Sequence, residues 1–297
     1  MMMQELKLER LFKTESGTDT FLKKLLMNRG GMTGLIILSA LAFIALFSSF
    51  IAPYSPYAIV AKPYLPSSAA HLFGTDGLGR DIFSQMIYGT RLSLEIGFVS
   101  AVGITSIGTL VGIVSGYIGS FVDEVLMRFV DVMLVIPSIA FMIFVSTIMG
   151  PGVITVLTVI IVFGWPPMSR MIRSQVLSLK KRGFVESAIV SNTTKTFILF
   201  RMILPNIISL ILANALLAVI YAIIADASLA FIGLASTTSY SWGTVLYNAQ
   251  IEGAIYHNGI LWITLPGLAI ALTGVSMTLL ARAFGDITDP RYSTEGR

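Results

Sequence analysis

The sequence predicts an all-α polytopic membrane protein with six transmembrane helices. Two observations lead to this fold class. First, 55% of the 297 residues are hydrophobic and only 12% are charged, whereas soluble domains contain about 25% charged residues. Second, the few charges are concentrated between uncharged apolar runs long enough to cross a bilayer, which takes a helix of about 20 residues. The absence of cysteine excludes disulfide bonds, thiolate metal sites and cysteine nucleophiles.

The first two spans are single apolar runs. They read "GMTGLIILSALAFIALFSSFI" at 31–51 and "LEIGFVSAVGITSIGTLVGIVSGYIG" at 94–119. Each is long enough to cross the hydrocarbon as a helix, in which every backbone polar group is satisfied internally. We therefore expect an N-terminal tail at 1–29, a first transmembrane helix at 30–52 and a long loop at 53–91.

The next four spans follow from the same criterion. Residues 132–169 contain no ionisable side chain and are too many for one helix. The sequence "GPG" at 150–152 divides them into a third and a fourth span. Pro137, Pro166, Pro167 and Pro266 are expected to break or kink the helices that contain them, because proline removes a backbone donor. The fifth span extends from 202 to 234 and the sixth from 260 to 281.

The second to sixth spans form a predicted five-helix core at 92–283, followed by a C-terminal tail at 284–297. An even number of spans places both termini on one side of the membrane. All but three of the 20 lysines and arginines fall on that side; the exceptions are Lys62, Arg80 and Arg91. The positive-inside rule therefore predicts that both termini are cytoplasmic and that the first loop is extracytoplasmic. The mostly polar residues before the first span argue against a cleaved signal peptide.

A polar insert at residues 170–205 separates the fourth and fifth spans. Its middle reads "KKRGFVESAIVSNTTKTFILFRMILPN". Apolar residues recur there at near-helical spacing with polar residues between them, as in a short amphipathic helix. Asn192 tolerates left-handed backbone, so we expect a break at 192–194 between two short helices set at an angle. This knob, residues 183–197, is suited to fit a groove on a partner; a solvated connector facing anionic lipid headgroups is an open alternative.

The knob and the residues after it also carry a family motif. The segment "ESAIVSN" followed by "MILPN" resembles the EAA loop in the membrane subunits of binding-protein-dependent ABC importers. The matching residues are Glu186, Ala188, Leu204 and Pro205. The positions that differ are Ser187, Asn192 and Met202, where the family has Ala, Gly and Ile.

Longer segments are similar to the dipeptide and oligopeptide branch of that family. They include "HLFGTDGLGRDIFSQMIYGTRLSL" at 71–94, "GSFVDEVLMRFVDVMLVIPS" at 119–138, "ADASLAFIGL" and "FGDITDPR". The resemblance covers roughly residues 30–291, and the single N-terminal span followed by a long loop is like the shorter permease of the usual pair. It implies the type I ABC-importer permease fold, in which the last five spans form the translocation core.

The resemblance implies that residues 170–205 couple the permease to cytoplasmic ATPases. The residues assigned to this coupling loop are Phe184, Glu186, Ser187, Ala188, Asn192, Phe197, Leu204 and Pro205. Within it, Glu186 is expected to make a charged contact with the ATPase. The apolar contacts are assigned to Phe184, Ala188 and Phe197.

The implied protein is a subunit of the prokaryotic inner membrane that forms the path for peptides. Its implied partners are a second homologous permease, two cytoplasmic ATPases, an external binding protein and membrane lipid. Nickel complexes and oligosaccharides are alternative substrates. A stand-alone secondary transporter is the alternative class, but it would usually show paired inverted repeats, which the sequence lacks.

Several functions are disfavoured by motifs that the sequence lacks. No Gly-Lys-Ser/Thr phosphate loop occurs, so we expect ATP to be bound by the partner subunits and not by this chain. His71 and His257 are far apart and without companions, which predicts no metal site. No cofactor, nucleic-acid partner or enzymatic activity is expected.

Two features inside the spans need a physical reason. Gly108, Gly112 and Gly116 lie on one face of the second span and allow close approach of another helix; packing within the chain is favoured over a dimer interface. Asp226 lies near the outer end of the fifth span, where a charge is unfavourable in free energy. We expect it to line the translocation path or to pair with the second permease. A hydrated carboxylate at the membrane surface is the alternative.

The long first loop contains "FGTDGLGRDIFSQMIYG". Gly77 and Gly79 predict a tight turn, and Asp81 is expected to cap a short helix. The apolar stripe of that helix comprises Ile82, Phe83, Met86 and Ile87. It is interpreted as lying on the bilayer surface, with a contribution to docking the binding protein as the alternative.

Overall fold

The computed structural model describes residues 23–234, 239–257 and 259–288. Within these ranges the chain is a bundle of helices, and the only β-type pairings are two isolated bridges in the first loop. The all-α prediction is confirmed. The predicted tails at 1–29 and 284–297 fall largely outside the described residues.

The first span consists of helix α1, Arg29–Leu46, and the short helix α2, Ser48–Ile51. Asn28 caps α1 by accepting a hydrogen bond from the amide of Gly31. The span packs against the last helix of the chain, where the hydroxyl of Ser276 donates to the carbonyl of Gly34 at 2.7 Å. A buried hydroxyl–carbonyl bond of this kind joins helices within a membrane.

Helix α3, Ile82–Ile118, contains the second span but begins well before the predicted start at 94. Asp81 caps it by accepting from the amide of Ser84 at 2.8 Å, which confirms the predicted cap. The predicted short helix on the bilayer surface is wrong. Ile82 and Met86 are buried against Trp242, because another helix covers this first part of α3.

The third span is broken into α4, Ser120–Val135, and α5, Ser138–Met149, whose axes differ by 86°. The break confirms the prediction at Pro137: Ile136 is extended, and proline has no amide hydrogen to continue the helix. No break occurs at the other prolines, since Pro166 and Pro167 lie inside the helix Val153–Lys180 and Pro266 lies inside the helix Ile260–Thr288. Five described helices are long and apolar enough to cross a membrane, or six when the bent pair is counted as one span.

The rest of the chain alternates long spans with short helices. Helix α6 is Val153–Lys180, α7 is Gly183–Val190 and α8 is Lys195–Phe197. A π-helical segment, Ile198–Ile203, then leads into α9, Leu204–Phe231. Helix α10 is Trp242–Ile251, a 3₁₀ turn is Ala254–His257, and α11 is Ile260–Thr288.

The glycine stripe of α3 faces α6. A Cβ atom on Gly108 would lie 2.7 Å from Cβ of Met168, and one on Gly112 would lie 2.6 Å from the carbonyl oxygen of Ser169. On Gly116 it would lie 2.9 Å from Val176. These approaches leave no room for a side chain, which confirms that the stripe packs within the chain. Helices α3 and α6 therefore form the tight centre of the bundle.

Candidate functional site

The predicted knob lies at the end of the bundle where α3 and α6 both end, and we call this the knob end. Its helix α7 is attached through Val185, which is fully buried against Val176, Ile198 and Ile203. Ala188 is partly buried in the same cluster. One face of α7 is thus fixed to the helices that carry it, and the other face is left free of the bundle.

The free face of the knob carries several exposed apolar side chains. Phe184 is 48% exposed and Val190 is 82% exposed. Phe197 and Phe200 lie at the start of the next helix and are 50% and 60% exposed. The continuous helix 195–231 has 37 residues, so at 1.5 Å per residue it is about 55 Å long and extends well beyond a hydrocarbon layer about 30 Å thick. Lys195 and Arg201 lie among these rings, and charged side chains are excluded from the hydrocarbon. We therefore expect the start of this helix, with its exposed aromatic rings, to project outside the hydrocarbon.

The polar residues of the motif are also accessible. Glu186 and Ser187 are exposed, and Glu186 takes part in none of the ion pairs among the described residues. Glu186 is in the first turn of α7, where the helix dipole favours an acidic side chain. The carboxylate is therefore positioned for a charged contact with another protein, and that contact stays a prediction.

Asn192 ends α7 in the predicted way. Its φ angle of 54° lies in the left-handed region, which asparagine tolerates better than most residues. The amide of Thr193 then donates to the carbonyl of Ala188 at 3.0 Å and closes the helix end. The left-handed turn predicted from the sequence is confirmed, and it directs the chain from α7 into α8.

The second short helix of the knob was predicted as a separate element, and this prediction is wrong. Residues 195–231 form one continuous helix. Pro205 lacks an amide hydrogen and would clash with the carbonyl four residues earlier; the π-helical segment Ile198–Ile203 accommodates it without a break. Leu204 and Pro205 therefore lie within a continuous helical connection from the knob into the fifth span.

A cavity of about 420 Å³ lies where the broken third span meets α3, α6 and α9. Its polar side chains are those of Ser138, Asn214 and Tyr221, and three methionines contribute to its apolar wall: Met133, Met168 and Met171. The side chains of Tyr221 and Ser138 lie next to each other, and the amide of Asn214 donates to the carbonyl of Leu210 at 2.9 Å. Sequence reasoning missed this cavity, because the kink at Pro137 predicts a bend but not which helices surround it.

Asp226 does not line that cavity. It is 2% exposed and lies beside the side chain of Ser241, which caps α10. Helix α10 approaches closely here, since a Cβ atom on Gly243 would lie 2.6 Å from Cα of Ala227. The alternative of a hydrated carboxylate is wrong within the described chain, because α10 covers the side chain. The assignment of Asp226 to the translocation path stays a prediction.

The opposite end of the bundle is covered by residues 52–81 and 239–257, which we call the cap. Asp76 is fully buried and accepts hydrogen bonds from the amides of Leu78 and Arg80 at 2.9 and 2.8 Å. It also accepts from Nε of Arg80 at 2.6 Å and from the side-chain amide of Gln85 at 2.8 Å. Gly79, with a φ angle of 79°, forms the predicted tight turn in this segment.

Glu252 connects the two halves of the cap. Its carboxylate accepts from the amide of Gly77 and lies 3.8 Å from Nη2 of Arg80. Burial raises the pKa of the Glu252 carboxyl above its ordinary value, with the amide of Gly77 acting in the opposite direction. Burial also raises the pKa of Tyr240, on which the Arg80 guanidinium stacks, to about 12. Glu252 and Arg80 are therefore paired within the chain itself.

Basic residues near the end of α6 contact two neighbouring helices. Arg173 donates from Nε and Nη2 to the two carboxylate oxygens of Asp123 on α4 at 2.5 and 2.6 Å. Lys180 donates to the carbonyl of Tyr117 on α3 at 2.8 Å. In the sequence these cations indicated only the orientation in the membrane. Asp123, in the first turn of α4, was the available signal that Arg173 has an acidic partner.

Comparison with known proteins gives two family matches. The profile of a family described as binding-protein-dependent transport system inner membrane component matches residues 108–294. A second profile, described as the N-terminal TM domain of oligopeptide transport permease C, matches residues 18–67. The first match contains the knob, the glycine stripe and all the residues that line the cavity except Ile104.

Similar proteins cover nearly the whole chain. The dipeptide transport system permease protein DppC of Bacillus subtilis is 35% identical over 282 residues, which is 93% of this chain and 86% of the relative. The protein of the same name from Alkalihalophilus pseudofirmus is 34% identical over 280 residues, 92% of this chain and 89% of the relative.

Proposed function

The chain belongs to the family of binding-protein-dependent transport system inner membrane components, and we propose that it forms part of the path for peptides in an ABC importer. In this proposal the knob receives the movement of a cytoplasmic ATPase. The cavity beside the break at Ile136–Pro137 is the part of the path that this chain contributes.

The observation that carries the proposal is the unbroken helix between the knob and the cavity. Phe197 stands at its start, and Asn214 and Tyr221 line the cavity farther along the same helix. A rigid helix transmits a tilt applied at one end to its other residues. Closure of the ATPase on ATP would therefore move Asn214 and Tyr221 relative to Ser138 and change the shape of the cavity.

The cavity has the chemistry that peptides of varied sequence require. Met133, Met168 and Met171 give an adaptable, polarizable apolar wall. The side chain of Asn214 carries both an acceptor and donors for a peptide backbone. The relatives named above are dipeptide permeases, and no described residue favours nickel complexes or oligosaccharides instead.

The proposed assembly contains a second homologous permease, two cytoplasmic ATPases that bind the ATP, and an external binding protein. The chain itself has neither an ATPase site nor a cofactor in this proposal, and lipid surrounds its exposed apolar spans. Both termini and the knob face the cytoplasm of a prokaryotic cell, with the cap outside. The distribution of lysine and arginine supports this orientation.

The proposal is tested by affinity purification of the tagged chain from its native membrane in mild detergent. The variant Phe184→Ala/Glu186→Lys changes two exposed knob residues and leaves the anchor Val185 in place. Gln175→Lys is the matched control, because Gln175 is exposed on α6 at the same end of the bundle. We expect the unaltered chain and the control to bring down an ATPase and a second permease.

The knob variant should retain the second permease and lose the ATPase. Equal recovery of the ATPase with the knob variant and the control would contradict docking at the knob. Absence of an ATPase from the unaltered chain after cross-linking would contradict the importer assignment and leave the secondary-transporter alternative.

A further inference from the structure

A second set of contacts joins the knob to the bundle, at the end of α6. Lys180 is the last residue of α6 and is separated from α7 by two residues. Its ammonium donates to the carbonyls of Tyr117 at 2.8 Å and Gly116 at 3.4 Å, and lies 5.6 Å from the centre of the Tyr117 ring. Carbonyls in the last turn of a helix lack intrahelical partners and attract cations, so Lys180 fixes the end of α3 to α6.

A second contact fixes α4 to the same unit. The Asp123 carboxylate is bound by Arg173 from α6 in the two-pronged geometry that makes guanidinium–carboxylate pairs strong. The hydroxyl of Ser115, on α3, donates to the same carboxylate. Asp123 therefore connects three helices at the knob end. Its side chain is 17% exposed and that of Arg173 is 30% exposed, so the pair is partly shielded from water and salt.

A neighbouring ion pair supplies a natural comparison. Arg170, one turn before Arg173, pairs with Asp131 on the same helix α4. Both of these side chains are more than half exposed, and exposed ion pairs contribute little free energy. The same residue type on the same helix thus makes one shielded and one solvated contact with α4.

The break in the third span determines what this unit can move. Helix α4 is joined through Asp123 to the half of α6 nearest the knob. Helix α5 begins after the break at Ile136–Pro137 and packs against the other half of α6, where the rings of Phe141 and Phe163 meet edge to face. The cavity is lined from the α4 side by Met133 and Ile136 and from the α5 side by Ser138. A displacement of α4 with α5 held in place changes the angle between them and the width of the cavity.

We propose that Asp123, Arg173 and Lys180 are positioning residues for coupling: they make α4 follow the knob, so that the movement of the ATPase opens and closes the cavity at the break in the third span. This inference rests on the proposed function of the knob. It adds a second transmitting element, α4, to the helix 195–231.

The test compares Arg173→Gln with Arg170→Gln, and the single variant Asp123→Arg with the charge exchange Asp123→Arg/Arg173→Asp. Each variant replaces the native chain in its own cells. Uptake is measured with labelled dialanine and trialanine, and the complex is purified to measure bound ATPase and its rate of ATP hydrolysis. Arg173→Gln should keep the ATPase bound and hydrolysing while uptake falls about tenfold. Arg170→Gln should transport within about twofold of the unaltered chain, and the charge exchange should recover most of the uptake lost in Asp123→Arg.

The outcomes separate the two proposals. If the unaltered chain brings down no ATPase or supports no peptide uptake, the proposed function fails and this inference fails with it. If the unaltered chain does both and Arg173→Gln transports like Arg170→Gln, only the positioning role is overturned. A third outcome is that Arg173→Gln does not fold or does not bind the ATPase, and that the charge exchange restores neither property. The contact is then merely structural, and the positioning role is likewise overturned.

Discussion

The two ends of the helical bundle differ in how their polar and charged side chains are satisfied. At the cap, polar side chains are buried and satisfied by the chain itself: Asp76 is fully buried and accepts four hydrogen bonds. At the knob end, apolar side chains such as Phe184 and Val190 are exposed, and the acidic Glu186 has no ion-pair partner among the described residues. Both ends expose apolar side chains, including Ile255 and Tyr256 at the cap. The difference lies in the charges: the cap pairs its acidic residues Asp76 and Glu252 within the chain, whereas in the described part of the chain the knob places an acidic residue without an ion pair beside its exposed apolar side chains.

This difference indicates where the molecule is rigid scaffold and where it meets a partner. Clustered apolar side chains outside the hydrocarbon mark interaction sites more reliably than scattered ones. A buried carboxylate with all its acceptors used is instead evidence of a fixed local structure. Substitutions that act at one end only test this difference.

The largest effect is expected from Asp76→Ala in the cap. Loss of the carboxylate leaves the Arg80 charge, the Gln85 amide and two backbone amides without their acceptor, which costs about 3–5 kcal/mol for a buried pair. We expect the purified variant to unfold at a markedly lower temperature in detergent. Glu124→Ala, which removes an exposed carboxylate, should leave the melting temperature unchanged; equal melting of the two variants would show that the cap is not held by Asp76.

A smaller, local effect is expected from Val185→Asp at the knob. The substitution places a charge in the cluster that anchors α7, where burial without a partner is strongly unfavourable. We expect limited proteolysis to cleave near residues 181–194 while the cap and spans remain protected. Val190→Asp, at a side chain that is 82% exposed, should be cleaved no faster than the unaltered chain. Equal protection of both variants would contradict the anchoring role of Val185.

The smallest effect concerns pH and Glu252. Its pKa in the folded chain is raised by burial, so its favourable contribution to stability is complete below the unfolded pKa and is lost as the pH rises through the folded pKa. Compared with Glu252→Gln, the unaltered chain should therefore lose melting temperature as the pH rises above the ordinary glutamate pKa of about 4. If the melting temperature of the unaltered chain, relative to that of Glu252→Gln, stays constant or rises with pH, the buried environment of this carboxyl between Asp76 and Arg80 is contradicted.

Local sequence signals predicted much of this arrangement. The uncharged runs gave the spans, because charges are excluded from the hydrocarbon. Asn192 predicted the left-handed turn after α7, and the spacing of Gly108, Gly112 and Gly116 predicted a close helix contact. Each of these signals depends on residues within a few turns of one another.

The features that sequence reasoning missed depend on distant parts of the chain. Helix α3 begins at Ile82 because α10 covers its first turns, and α10 is more than a hundred residues later. The pairing of Arg173 with Asp123 and of Asp226 with Ser241 likewise joins separate elements. The continuity of helix 195–231 was missed because Pro205 resembles a helix start, and only the π-helical segment before it shows how the helix continues.

The most direct test of the account is the number of peptides taken up per ATP hydrolysed when the connection between knob and cavity is interrupted. Two glycines inserted after Arg201 break the helix 195–231, and the same insertion after Thr193 falls in a turn that is already non-helical. We expect both variants to keep the ATPase bound. The number of peptides taken up per ATP should fall about tenfold for the insertion after Arg201 and stay nearly unchanged for the insertion after Thr193. An unchanged ratio for the insertion after Arg201 would contradict transmission through this helix.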